Sequence, residues 1–525
     1  MFRLHHTLFP LVVFLATACG DEAVQGPPDT EPGTGGGPTD VQRIDTIAAP
    51  TETLVVVTLA LAPDDSALET SRWTLDSPRG ALAIEAIALG DDGRSIELTT
   101  GEQKLGVTYS LRYDDVEGAL EAEVVAADTA RFWAIDYGSP TFEQFEVVAR
   151  REVVGTSAVI YVQQGEVMAN AESIVEHFDE VVLPAETALF GEAPDRDDNG
   201  RVVLLGLDAR GAYAGAFNPL DTHPEEESFA TWGFHSNEHE MLYLNVETGS
   251  VPYAESVVPH ELSHLLYQEI HHWTETYWPY HNEGLAECAV NAVNGSNPFA
   301  LDFYVNDPFG DIAPGLSLVD WQDGNFSQYV QAFVFWSYLA GQLDGVESYA
   351  TLMHQDADPT QLGMFLEDQL SISMPTAQLR MMLAAWAQQP DGEHSFNGVI
   401  ALPSKPKTAG APVVSLPPMT GAFLAPDATT FDPPAGKGPD VVFAGIDAAG
   451  VVDLSAPFDV AGGVVVVLNT ETVGATTPAQ PTGLMPFDVA ADEPDRRGWA
   501  WLHAPPFNPH HLDAIRAWHA RTRVR

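Results

Sequence analysis

Lysine is the scarcest charged residue in this sequence, with four copies in a chain of 525. Lys and Arg together reach only 23 against 75 carboxylates, a formal net charge of −52. So acidic a chain repels phosphate backbones, which excludes a general nucleic-acid binder. It also avoids anionic lipid surfaces unless a covalent anchor holds it there. Cysteine is scarcer still, with Cys19 and Cys288 alone, and two thiols exclude a disulfide framework. The apolar run near the N-terminus, Leu8 to Ala16 with Pro10 inside it, falls well short of the roughly 20 residues a spanning helix needs. What is present is ordinary core material: 45% of residues are hydrophobic, which excludes wholesale disorder. The length suggests about three or four domains.

Arg3 and two histidines precede the apolar run, and small residues follow it up to Cys19. That order reads as a short export signal. Leu15-Ala16-Thr17-Ala18-Cys19-Gly20 resembles a bacterial lipobox, in which cleavage leaves a lipid-modified cysteine; an ordinary signal peptide cut near Ala18 is the alternative. The expectation is therefore a signal peptide over 1–18 and a lipid anchor at Cys19, the one route to a membrane. A tether over 19–44 follows. Nine of the thirteen residues from Gly26 to Pro38 are Gly or Pro, too few apolar groups to fold. The expected location is the bacterial cell envelope, at the outer membrane or cell surface, with secretion as the alternative. Cys288 is then left as a small buried hydrophobe.

Residues 45–125 read as short strands. Leu54 to Leu61, Ala81 to Leu89, Ser95 to Thr99 and Val107 to Tyr113 are β-rich, and Asp91-Asp92-Gly93 marks a hairpin. The spacing predicts an immunoglobulin-like β-sandwich with no visible chemistry. Helices and strands mix from 129 to 390. Ile174 to Val182 reads as a helix that Pro184 breaks or kinks. Asp195-Arg196-Asp197-Asp198-Asn199-Gly200 then precedes an apolar strand, Val202 to Leu207. Asp195, Asp197 and Asn199 alternate before a glycine as in the first half of an EF-hand loop. Gly206 stands where the twelfth-position glutamate belongs, so a structural calcium site and a plain acidic turn both stay open.

The deciding residues lie between His260 and Glu287. His260-Glu261-Leu262-Ser263-His264 is an H-E-x-x-H. On a helix, positions i and i+4 share a face, so both imidazoles can reach one zinc ion, with Glu261 placed to activate a water. Val257, Val258, Leu262, Leu265 and Leu266 supply an apolar packing surface. Pro259 is discordant, tolerated in a first turn and kinking a helix that starts earlier. After eighteen intervening residues beyond His264 stands Glu283, in Asn282-Glu283-Gly284-Leu285-Ala286-Glu287. A carboxylate from a second helix completes a His₂Glu catalytic zinc set, which leaves a fourth position for water. Glu287, one turn on, can accept the ring N–H of a ligand histidine.

The H-E-x-x-H…N-E-x-x-x-[DE] pattern resembles the gluzincin metallopeptidases, the thermolysin and aminopeptidase N superfamily. Closer overall is the resemblance to the hyicolysin family of secreted bacterial metallopeptidases. That likeness runs from Phe132-Trp133 to the helix after Tyr329 and takes in Ala214-Gly215-Ala216-Phe217-Asn218-Pro219 and Ser236-Asn237-Glu238-His239-Glu240-Met241-Leu242-Tyr243. The resemblance implies an α+β zincin-like (gluzincin) catalytic domain, and the strand patterns on either side of it add flanking β-sandwich-like modules. It assigns His260, His264 and Glu283 to zinc and Glu261 to the general base. It makes the strand from Met241 to Val246 the edge on which an extended substrate pairs. It also points to Tyr329, at the head of a long apolar helix, as the oxyanion donor, with a core-rim tyrosine as the alternative. His235, His239, His271, His272 and His281 are expected at the surface or rim, any of them able to take the oxyanion role instead.

Thr376 to Gln388 reads as a helix closing the catalytic domain. Residues 391–525 read as a separate β-module, with strands at Pro412 to Leu416, Val441 to Ile446 and Val464 to Leu468 and a short basic tail from His511. The expected function is a zinc-dependent metalloendopeptidase acting on extracellular proteins or peptides. A zinc exopeptidase lacks its amine-binding Gly-x-Met-Glu-Asn here. A non-catalytic surface lipoprotein or adhesin would be expected to have lost a ligand or the base, and all four residues are present.

Overall fold

The computed structural model describes residues 41–472, apart from 116–117, 138, 140–141, 210–212, 247–250, 272–277, 322–324 and 410–415. The expected signal peptide, the Cys19 anchor, the tether up to residue 40, His272, the strand from Pro412 and the basic tail fall wholly or largely outside the described residues.

The first eight strands form two antiparallel sheets. One has the order β1 (Ile44–Thr51), β2 (Leu54–Leu59), β6 (Ser95–Thr100), β5 (Ile84–Leu89); the other runs β4 (Gly80–Leu82), β3 (Trp73–Ser77), β7 (Thr108–Asp115), β8 (Gly118–Val125). Alternate residues of these strands, among them Val55, Val57, Leu75, Ile96, Leu98 and Leu111, share one core. Trp73 stacks on Tyr113 with ring centroids 4.1 Å apart.

A mixed six-stranded sheet follows, built from β9 (Thr129–Ile135), β10 (Gln144–Val154), β11 (Ala158–Gln163), β12 (Val202–Leu207), β13 (Gly215–Phe217) and β14 (Met241–Asn245). Its order is β13-β14-β12-β11-β10-β9, with β11, β12 and β14 parallel. Those three central strands are apolar on both faces, as buried parallel strands must be. Ala158, Ile160, Leu204, Leu242 and Leu244 point into the helical core, while Val159, Tyr161, Val203, Leu205 and Tyr243 fill a second layer on the other face.

The helices cover the first face. α1 (Ala171–His177) passes through a wide π turn into α2 (Leu183–Phe190). Pro184 therefore breaks nothing: it occupies the first turn of α2, where its missing N–H is tolerated. After a short α3 (Glu225–Trp232) come α4 (Val251–His271), α5 (Pro279–Asn294), α6 (Pro298–Asn306), the two-residue β15 (Leu316–Ser317), α7 (Phe326–Gln342), α8 (Ser348–Met353), α9 (Pro359–Leu370) and α10 (Met374–Ala387). Among the described residues, no helix is long and apolar enough to cross a membrane.

The last strands are β16 (Thr420–Leu424), β17 (Thr430–Phe431), β18 (Val441–Ile446), β19 (Val452–Asp453), β20 (Phe458–Asp459) and β21 (Val464–Asn469). The boundary expected at 391 is not a break in packing. β16 pairs with β15 from the helical region, and Phe423, Ala444, Ile446, Val464 and Val466 belong to the same core as Met381 and Met382 of α10. Apolar strands with one bare face bury it on the nearest apolar helix, and α10 supplies that helix.

Glu186 is the odd member of this core. It is fully buried on α2, and neither carboxylate oxygen has a hydrogen-bond partner. Burial holds its carboxyl well above the ordinary value, with the charge of a protonated His260 opposing. The folded chain thus keeps a proton that the unfolded chain has lost. The stability this group allows is full below the unfolded carboxyl range, about pH 4.3, and falls as pH rises through the raised folded value. Glu186→Met removes both oxygens at similar volume. It is expected to raise the thermal midpoint by a few degrees at pH 8 and by less at pH 5, read by calorimetry. An unchanged midpoint at both pH values would refute this account of the buried carboxyl.

Candidate metal centre

The H-E-x-x-H lies in the middle of α4, whose Val257, Val258, Leu262, Leu265 and Leu266 are all buried in the helical core. The helix begins eight residues before Pro259 and runs through it. Proline cannot donate to the carbonyl of Glu255 four residues back. Asn294 at the end of α5 fills the gap, its side-chain amide donating to that carbonyl at 2.8 Å. The gap in α4 is thereby closed by α5, the helix that carries Glu283.

α5 packs along α4 on one side and α7 on the other. Gly284 makes the second contact possible. A Cβ there would stand 2.5 Å from Trp336 Cδ1 and 2.8 Å from Ala332 Cβ of α7, so only glycine lets the two helices approach this closely.

The result is a buried cluster. His260, His264 and Glu283 each offer a ligand atom, all within 4.8 Å of one another. Glu283 Oε2 lies 3.4 Å from the Nε2 of both histidines. The two rings stand nearly perpendicular, 83° apart with centroids 4.8 Å apart. Their outer nitrogens are held from behind. His264 Nδ1 donates to Asn282 Oδ1 at 2.9 Å, since an amide oxygen can only accept. His260 Nδ1 lies 3.4 Å from Glu287 Oε1, and Glu287 Oε2 in turn accepts from Asn297 Nδ2 at 2.6 Å. Both histidines therefore turn Nε2 inward, the orientation a metal ligand needs.

The electrostatics favour a cation in the same place. Burial opposes a charge on His260, but the carboxylates of Glu283 and Glu287 outweigh it and push the ring up to about 10. Glu261 is pushed up to about 8, first by burial, with the charge of His260 opposing and those of Glu283 and Glu287 adding. Three carboxylates, Glu261, Glu283 and Glu287, thus share one buried pocket with two imidazoles. Two nitrogen donors and one oxygen donor around it fit zinc.

Tyr329 lies in the first turn of α7, buried, with its ring roughly parallel to that of His260 at a centroid distance of 6.4 Å and packed on Trp321 and Phe326. The structure thus brings His260, Glu261, His264, Glu283, Glu287 and Tyr329 to one place. Asp195, Asp197 and Asn199 stand elsewhere, in the turn before β12.

Two expectations are corrected. β14 is not the sheet edge: it pairs with β12 on one side and β13 on the other, so β13 takes the edge position. Three residues of Ala214-Gly215-Ala216-Phe217 suffice to cap β14, and a segment so short carries no strand signal of its own. Secondly, His281 is not a rim residue. It is buried, with its Nε2–H on the carbonyl of Leu352 at 3.0 Å and its Nδ1 accepting from Tyr267 at 2.9 Å. Burial, followed by the nearby His271, holds it down at about 3, so it is a neutral structural group. His235, His239 and His271 are partly exposed. Asn282 joins the cluster through His264, and its one signal in the sequence is adjacency to Glu283 in the Asn-Glu pair.

Gly215 of β13 passes directly over Glu261. A Cβ there would stand 2.3 Å from Val257 Cγ1 and 2.9 Å from both Cγ and Oε1 of Glu261. Gly215→Ala is expected to displace Glu261 and lower kcat about 10²-fold, with metal content unchanged by mass spectrometry. Activity equal to wild type would show that the strand does not set the position of Glu261.

A stretch of 270 residues aligns at 25% identity with a protein of Staphylococcus hyicus, neutral metalloprotease ShpI, covering 47% of this chain and 59% of that one. The chain is a distant relative of a metalloprotease. It spans about three fifths of that relative's length. No protein-family model matches the chain. Among solved structures, the surface layer protein SbsC, domains 1–6, is similar at a TM-score of 0.16 and 12% identity over 23% of this chain and 19% of that one. A pullulanase from Anoxybacillus sp. LM18-11 is similar at 0.12 and 12% identity over 22% of this chain and 23% of that one. Likenesses of this size carry no argument.

Proposed function

We propose that the protein is a zinc-dependent endopeptidase of gluzincin type, similar in pattern to the hyicolysin family, exported and held at the cell envelope through Cys19. The observation that carries this reading is the convergence of His260 Nε2, His264 Nε2 and Glu283 Oε2 beside Glu261. The distant metalloprotease relative supports it.

His260, His264 and Glu283 would hold the zinc, which supplies Lewis acidity to an attacking water and to the scissile carbonyl. Glu261 takes the proton that the water gives up as its oxygen bonds to the carbonyl carbon. It returns that proton to the amine nitrogen as the C–N bond breaks. Asn282 and Glu287 keep both imidazoles in the tautomer that faces inward. Tyr329 donates to the oxyanion of the tetrahedral intermediate. An extended peptide pairs with the edge strand β13, whose backbone crosses Glu261 at Gly215.

Purified protein should cleave casein, lose that activity to a chelator and regain it with zinc. Tyr329→Phe should lower kcat about 10²–10³-fold with KM and zinc content unchanged. Protein that carries zinc and cleaves neither casein nor short peptides would overturn the enzyme reading. Cleavage restricted to substrates with free N-termini would replace it with an aminopeptidase.

A further inference from the structure

A second group of described residues gathers ligand atoms at metal-binding separation: Asp195, Asp197 and Glu240 each offer a carboxylate oxygen within 4.8 Å of the others. Part of this arrangement is ordinary turn chemistry. The Gly200 N–H donates to Asp195 Oδ1 at 2.9 Å, and the Asn199 N–H to Asp197 Oδ1 at 3.0 Å. Glu240 is not explained that way. It stands immediately before β14, 40 residues beyond the turn, and is 1% exposed. Its backbone carbonyl is fixed by the Val203 N–H at 2.8 Å. Its Oε1 accepts the Arg196 N–H at 2.6 Å, but its buried Oε2 has no hydrogen-bond partner. A buried carboxylate oxygen left bare beside two further carboxylates is costly, and a cation among the three removes the cost.

The donors are all oxygen, which selects a hard cation and separates this site from the His–Glu centre. Gly200 has φ +71°, the left-handed turn that the sixth position of such a loop takes. Glu240 supplies from another strand the carboxylate that Gly206 cannot. Asn199 does not serve as a ligand here: its side-chain oxygen accepts the Arg201 N–H and its amide donates to Asp197 Oδ2 at 2.7 Å. His239 Nδ1 also lies on Asp197 Oδ2, at 2.6 Å, and holds that carboxylate in place.

The turn is also a junction. Arg79 of the first sandwich reaches Asp195 Oδ2 at 3.0 Å and Asp198 Oδ1 at 3.3 Å, and Lys104 reaches Asp198 Oδ2 at 2.5 Å. On its other side, Arg196 makes a two-pronged contact with Glu269 of α4, at 2.6 and 2.8 Å. We propose that Asp195, Asp197 and Glu240 bind a calcium ion, and that this ion orders the turn that clasps the first sandwich to the helix carrying His260 and His264. The site is independent of the peptidase reading.

The test uses the full chain carrying Glu261→Gln, so that self-cleavage cannot intrude. Calcium chloride is titrated calorimetrically into protein freed of calcium, and the thermal midpoint is followed across the same range. One calcium per chain is expected, with a midpoint that rises with calcium concentration as ligand linkage requires. Adding Glu240→Gln should abolish both the heat and the shift while zinc content stays at the parent level. Asp197→Asn reads the same loss should Glu240→Gln fail to fold. A flat titration up to about 10 mM calcium, well beyond the range of extracellular calcium modules, overturns the proposal and leaves Arg79 as the counter-charge of the turn. Undiminished calcium binding by both variants overturns the ligand assignment.

Discussion

Glu261→Gln is expected to lower kcat/KM for casein-derived peptides by about 10²–10⁴-fold, the share a positioned general base contributes, with bound zinc unchanged. The substitution keeps the size of the side chain and removes its capacity to carry a proton. The metal set of His260, His264 and Glu283 does not include Glu261, so the ion has no reason to leave. Glu261 is itself buried beside the metal set. Paired kinetics and metal analysis decide the matter. Activity within about tenfold of wild type would remove Glu261 from the reaction, whereas joint loss of zinc and activity would make it a structural support of the metal.

Glu283→Ala is expected to lose zinc and activity together, to below detection in both. Glu283 Oε2 is equidistant, at 3.4 Å, from both ligand nitrogens, and it is the one carboxylate in the three-residue set. Without it, only the two imidazoles remain, and a divalent cation loses a charged ligand in a buried site. Glu287→Ala gives the contrasting result. Glu287 acts through His260 Nδ1, so zinc affinity should fall about 10–100-fold and activity should return when zinc is added. Full zinc occupancy in Glu283→Ala would refute the assignment, and equal behaviour of the two variants would merge their roles.

The residues that could be read from sequence are those whose relation is local. His260, Glu261 and His264 lie within two turns of one helix, and Glu283 and Glu287 within two turns of another, so helical periodicity alone places each group on a face. Asn282 was in plain view, but its role as acceptor for His264 depends on the angle at which α5 crosses α4. Strand order is not local either. Met241 to Asn245 is recognisable as a strand, yet nothing in it says that three residues around Ala216 will cover its outer side. Likewise Glu240 lies 43 residues from Asp197 in the chain and meets it only because β12 and β14 pair in parallel. The strands after 391 carry the alternation of any half-buried sheet. That their buried side is supplied by α10 is a property of the assembled core.

Pro259 has a consequence for how such a site can come into being. The segment around the H-E-x-x-H cannot complete its own backbone ladder, because the carbonyl of Glu255 has no local donor. Its donor, Asn294, sits 35 residues downstream of Pro259, near the far end of the helix that carries Glu283. The gap beside the H-E-x-x-H is therefore closed from the second helix, which also carries Glu283. A single side-chain contact thus joins the interrupted helix to the one that supplies Glu283.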